Sequence, residues 1–163
     1  MREYLFRGKR VDNGEWVEGL LTIDDFMTLN CIERAYCIKE VPSEKGGKFG
    51  WVRVEPESVG QYTGMKDKNG RKIFEGDIVR TQPFYDKPYS DKRKSKQFIG
   101  VVEYKIRTFN GNKFYAKQDY QAEWGLKFYE DFGRYTHYSW GELWNCEVIG
   151  TVFENAYLLE GCL

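Results

Sequence analysis

Apolar and polar residues in this chain alternate in short bursts rather than at the three-to-four spacing of a helix. In Gly100-Val101-Val102-Glu103-Tyr104-Lys105-Ile106, the residues Val102, Tyr104 and Ile106 fall on one face of an extended strand. The segment from Cys146 to Phe153 is rich in β-branched residues and predicts another strand. Between such bursts stand three Asn-Gly pairs, the residues best able to adopt the two positive φ angles of a tight hairpin turn. Asp12-Asn13-Gly14 is expected to join Tyr4 to Arg10 with Trp16 to Ile23, and Asn69-Gly70 to join Gly60 to Met65 with Lys72 to Arg80. Asn110-Gly111 is expected to join Val101 to Phe109 with Lys113 to Lys117, and a looser return at Gly46-Gly47 pairs Ala35 to Val41 with Phe49 to Glu55.

Helical signals are thin. Ser139-Trp140-Gly141-Glu142 fits a capping box, but the apolar residues that follow allow only one or two turns. Asp24 to Arg34 is expected to hold a second short helix. The stretch from Gln82 to Gln97, polar and carrying Pro83 and Pro88, reads as a long mobile loop between two strands. The fold class is therefore mainly β, at most a β-rich α+β arrangement, with strands too short and irregularly spaced for a parallel α/β sheet.

Composition narrows the function classes. A chain of 163 residues, 41% hydrophobic and 17% aromatic, can bury a core and fold as one or two small domains. Lysine plus arginine and aspartate plus glutamate each total 25, so no global field draws the protein to nucleic acid or anionic membrane, and any such binding is local. The opening Met1-Arg2-Glu3-Tyr4 places charges where an export signal needs an apolar core, and no apolar run approaches the roughly 20 residues of a membrane span. A cytoplasmic, non-membrane protein is expected. Cys31, Cys37, Cys146 and Cys162 form no CxxC pair and His137 is the only histidine, so neither a metal nor another cofactor is expected. The cysteines read as small, mostly buried residues with reduced thiols.

The phrase Gly60-Gln61-Tyr62-Thr63-Gly64-Met65-Lys66-Asp67-Lys68-Asn69-Gly70-Arg71-Lys72-Ile73-Phe74-Glu75-Gly76-Asp77-Ile78-Val79 strongly resembles the hallmark of the YopX family of phage and prophage proteins. Two other segments carry the same resemblance: Arg2 to Arg10 with Asp12 to Val17, and Cys146 to Asn155. Met65 stands where leucine is usual, Phe74 where tyrosine is usual, and Ala156-Tyr157 where the family tends to have Pro-Glu. The resemblance implies a viral or prophage origin and life inside a bacterial host cell, and it brings no catalytic residues to carry over. The Gly76-Asp77-Ile78-Val79 entry to a strand is similar to that of small SH3-like barrels. A strand-rich region over 1–59 followed by a small SH3-like, YopX-type β-barrel over 60–163 is accordingly expected. The phrase also has a purely structural reading, since Asn69-Gly70 makes a turn and Glu75-Gly76-Asp77 a bend before the next strand.

Two constellations are candidates for binding. Lys87, Lys92, Arg93, Lys94 and Lys96, offset by Asp86 and Asp91, stand beside Phe84, Tyr85 and Tyr89 in the long loop. Lysines with stacking aromatics bind nucleic acid without reading its sequence, whereas the simpler reading is a solvated loop. The segment from Phe114 to Trp144 is dense in aromatics, among them Trp124, Phe128, Tyr129, Trp140 and Trp144. These five are candidate residues of a subunit interface, weighed against plain core packing. His137 has no triad partner in view, and Asp24-Asp25 and Glu130-Asp131 would bind a metal only with carboxylates from elsewhere. Neither GxxxxGK[ST] nor GxGxxG is present. The expectation is a non-enzymatic phage or prophage accessory protein that binds or self-assembles as a homo-oligomer, with a phage or host protein as another partner. The alternative is a weak, sequence-independent nucleic-acid binder acting through 87–96.

Overall fold

The computed structural model describes residues 4–27, 32–40, 50–82, 84–85, 95–109, 119–128 and 145–162. Its described elements are strands and short 3-10 turns, so the mainly β class holds. Two compact units divide at Gly64, the first Met1–Gly64 and the second Met65–Leu163.

The first unit is built on antiparallel strands β1 (Phe6–Lys9), β2 (Trp16–Met27), β3 (Ile32–Glu40) and β4 (Trp51–Val54), joined by β5 (Gly60–Lys66), which crosses the division. Their order is β4-β3-β2-β1-β5. The Asp12-Asn13-Gly14 turn forms where expected but with one positive φ instead of two: Gly14 takes φ +74°, Asn13 does not, and Gly14 N–H donates to the Arg10 carbonyl at 3.0 Å, which makes the turn wider than the tight two-residue kind. Alternation sends Val17, Ile38 and Val54 into a core, with Phe6, Leu21, Tyr36, Val52 and Val59 packed against them. The sheet curls enough for Arg10 to bridge Val54, where Val11 N–H donates to the Arg53 carbonyl and Glu55 N–H to the Lys9 carbonyl. Two glycines make that curl possible. A Cβ on Gly19 would lie 1.9 Å from the Lys39 carbonyl oxygen, and one on Gly8 would lie 2.9 Å from Val54 Cβ.

β2 and β3 pair from Gly19–Glu40 out to Met27–Ile32. This overturns the short helix expected over Asp24 to Arg34: Asp24 to Met27 and Ile32 to Arg34 are strand, and Asp25 pairs with Arg34 across the ladder at 2.9 Å. β1 covers β2 only at residues 16–19, and β4 covers β3 only at residues 36–39. Beyond those limits, among the described residues, the hairpin is a two-stranded ribbon with both edges unpaired.

The second unit holds β6 (Lys72–Phe74), which continues the first sheet beside β5, then β7 (Asp77–Arg80), β8 (Phe84–Tyr85), β9 (Ser95–Lys96), β10 (Ile99–Phe109), β11 (Asp119–Phe128) and β12 (Glu147–Thr151). Four of them form an antiparallel sheet in the order β11-β10-β7-β12. Among the described residues this sheet is open, not the closed SH3-like barrel expected from residue 60 onwards. Both of its faces are covered. Val79, Val102, Trp124, Leu126 and Val148 pack with Ile73 and Cys146 on one side, while Ile78 and Val101 pack on the other with Leu159 of the final 3-10 turn (Ala156–Cys162). Burial on both faces explains why Ile78-Val79 and Val101-Val102 read as apolar pairs rather than alternating positions.

Asn69-Gly70 turns where expected, with positive φ at Gly70 alone (+82°), but the strand expected over Lys72 to Arg80 is broken at Gly76, φ +78°, and its halves join different sheets. The partner of β10 also differs from the expected one. Phe109 opposes Asp119, so β10 pairs with 119–128 and not with Lys113 to Lys117, and Asn110-Gly111 lies outside the described residues. The end strand runs from Glu147 to Thr151, with a bulge between Val148 and Gly150 against β7.

Candidate functional site

The phrase from Gly60 to Val79 holds two buried carboxylates, Asp67 and Asp77, both among the described residues of the second unit. Asp67 stands at the end of β5 and is almost fully buried. Its Oδ1 accepts the N–H of Asn69 at 2.8 Å and of Arg71 at 2.9 Å, and its Oδ2 accepts the N–H of Val148 at 3.1 Å. One carboxylate therefore both shapes the Asn69-Gly70 turn and ties it to β12. Burial pushes the Asp67 carboxyl up, but the Val148, Arg71 and Asn69 N–H donors and the Arg71 charge outweigh it and leave the group below its ordinary value. Backbone and surface contacts reinforce the tie, since Lys68 N–H donates to the Cys146 carbonyl and Lys68 Nζ lies 2.8 Å from Glu147.

Asp77 plays a similar part at the bend, where its Oδ2 accepts the Phe74 N–H at 2.8 Å. Gly76 N–H donates to the Val102 carbonyl, and the Gly76 carbonyl accepts from Val152. Both carboxylates are thus oriented by the protein's own backbone, and the phrase works as a structural fastener. Cys146 lies beside it, fully buried, and burial together with the Asp67 charge pushes its thiol up to about 12. Such a thiol is neutral and a poor nucleophile.

Other residues singled out by sequence are placed unevenly. Lys87, Lys92, Arg93 and Lys94 lie outside the described residues, as do Tyr129, His137, Trp140 and Trp144. Lys96 is in β9, where its backbone opposes Phe84. Phe128 ends β11 opposite Gly100. Trp124 is 3% exposed, inside the core of the second unit, with its ring edge-on to Tyr104 at 5.0 Å. Asp24 and Asp25 are exposed on the ribbon, and Arg34 holds the Asp25 carboxyl below its ordinary value. Among the described residues no group of three or more His, Cys, Asp or Glu side chains is gathered as a metal site, and no helix is long and apolar enough to cross a membrane.

Sequence reasoning passed over the side of the first sheet that faces away from its core. Leu20, Lys39 and Trp51 stand in register across β2, β3 and β4, and Arg53 lies one step further along β4. Trp51 is 56% exposed and Leu20 51%, and Lys39 Nζ sits 5.8 Å from the Trp51 ring centroid. The signal was present in Trp51-Val52-Arg53-Val54, where valines alternate with an aromatic and a cation.

No curated protein sequence matches the chain. The family model for the YopX protein matches residues 5–160. That span contains the opening hairpin, the Asn69-Gly70 phrase and the closing strand that Asp67 fastens to it, and the chain belongs to the YopX family.

Proposed function

We propose that this protein is a non-enzymatic phage or prophage accessory protein of the bacterial cytoplasm that works by binding and associates with itself through the β2–β3 ribbon. The observation that carries this reading is the uncovered outer half of that ribbon. Along residues 20–27 of β2, among the described residues, no strand pairs on the side opposite β3, although β1 fills that side at residues 16–19. Eight residues of free edge extend about 27 Å at roughly 3.4 Å per residue. An edge of that length is a template for a strand of another copy, and an isolated two-stranded ribbon gains most from being paired. Ile23, 51% exposed, adds an apolar side chain beside the edge, and a symmetric antiparallel pairing of β2 with its copy would use one surface twice.

Trp124 is occupied within its own core, so the edge rather than that ring is the surface to test. Light scattering on size-separated protein should give a mass that is a small multiple of 19.3 kDa, and Ile23→Lys, which places a charge beside the edge, should return the 19.3 kDa monomer. A wild-type monomer at every concentration would overturn the reading.

A further inference from the structure

We propose that the row Leu20–Lys39–Trp51, with Arg53, is a binding platform for single-stranded nucleic acid, on which a base stacks against Trp51 and phosphates meet Lys39 and Arg53. Register places Leu20 opposite Lys39 and Lys39 opposite Trp51, while Thr22, Cys37 and Arg53 form the next row on the same side. The core takes the other side through Ile38, Val52 and Val54. Arg7, Ala35 and Cys37 share the outward side but are buried, and the exposed apolar and basic residues there are Leu20, Trp51 and Arg53, with Glu18 and Asp24 exposed on β2. Val11, 49% exposed, adjoins them where its N–H meets the Arg53 carbonyl.

An indole of this size with more than half its area in water is costly to leave uncovered, and the cation near its ring biases what covers it. Charge decides the occupant. A second copy of the same platform would set Lys39 and Arg53 against their own counterparts, and like charges in register repel. On β2 the acidic residues of the same side are Glu18 and Asp24, one and two register steps away from Leu20 in opposite directions; on β3 Glu33 falls on that side by register, three steps from Lys39, and Glu55 follows the end of β4. An anionic partner with flat rings fits both features: every base has a π face for Trp51, and Trp51 and Arg53 are two residues apart, about 6.8 Å along the strand. The platform is separate from the ribbon edge and does not rest on self-association.

The test is fluorescence anisotropy of a short labelled oligothymidine with the full chain. Binding is expected at low salt, weakening about 7-fold between roughly 50 and 200 mM for two phosphate contacts. Trp51→Ala should weaken it about 10-fold. Arg53→Glu, an exposed change that leaves the core untouched, should weaken it at least as much and flatten the salt dependence, while Ile23→Lys should bind as wild type does. No binding at low salt would overturn the proposal. So would binding indifferent to Trp51→Ala and Arg53→Glu, including the case in which it is lost on neutralising Arg93 and Lys94. Displacement by polyglutamate as effective as by unlabelled oligothymidine would also overturn it, assigning the platform to an acidic protein segment.

Discussion

Replacing Asp67 with asparagine changes one oxygen to an NH2 group and tests whether the family phrase is a structural fastener. The carboxylate serves three donors, two in its own turn and one on β12. The amide has a single acceptor oxygen. If that oxygen stays with Asn69 and Arg71, the NH2 confronts the Val148 N–H, whose residue is buried beyond the reach of replacement water. If it turns to Val148, the turn loses both bonds. The first arrangement costs less because it sacrifices one charge-assisted bond, worth about 1.5–3 kcal/mol, and weakens the other two by losing the charge. The expected loss is about 3 kcal/mol, or roughly 6–12 °C in the unfolding midpoint of a chain of this size. Calorimetry across pH supplies a second check. Since the folded-state pKa of Asp67 lies below the ordinary 3.8, its contribution is fully present above that value and is lost as pH falls through the lowered one. The gap between wild type and Asp67→Asn should therefore be constant near neutrality and close in acid. A gap under about 1 kcal/mol, or one that persists unchanged in acid, would refute the reasoning.

Three further outcomes follow from the geometry. Gly19→Ala should cost more than about 2 kcal/mol in denaturant titrations, because its Cβ would lie 1.9 Å from the Lys39 carbonyl oxygen and the β2–β3 ladder must shift to admit it. Gly76→Ala should cost about 1–2 kcal/mol by the same measurement, from the strain of φ +78°. The Cys146 thiol, pushed up to about 12 and buried, should resist Ellman's reagent near about pH 8 in the folded protein and react once denaturant opens the second unit. Rapid labelling of folded Cys146 would show that its surroundings are open.

Much of the fold was legible because it is written locally. Asn13-Gly14 and Asn69-Gly70 reveal their turns through the positive φ that glycine tolerates, and the alternation around Val102 reveals its strand. The errors lie where distant partners decide. Asp24 to Arg34 reads locally as a short helix, yet the ladder between β2 and β3 makes Asp24 to Met27 and Ile32 to Arg34 strand. Asn110-Gly111 suggested a tight return, but β10 finds its partner beyond residue 118. Gly76-Asp77 suggested a barrel's first strand, whereas the bend sends β6 and β7 to different sheets. The bond from Val148 to Asp67 joins residues 81 apart, and no local rule announces it. The Trp51 platform was half legible: alternation put Trp51 and Arg53 on one face, but only the register with β3 and β2 added Lys39 and Leu20.

The central claim is that the unpaired edge of β2 is where this protein meets its own copy. Amide hydrogen exchange resolved to residues 20–27, followed across a dilution series, tests it most directly. The account predicts that the alternate amides of this stretch that point away from β3 exchange slowly at high concentration and quickly on dilution, in step with the fall in molar mass, while the amides that face β3, and those that residues 16–19 direct at β1, keep their protection throughout. Exchange at residues 20–27 that ignores concentration while the mass changes would place the contact elsewhere and contradict the account.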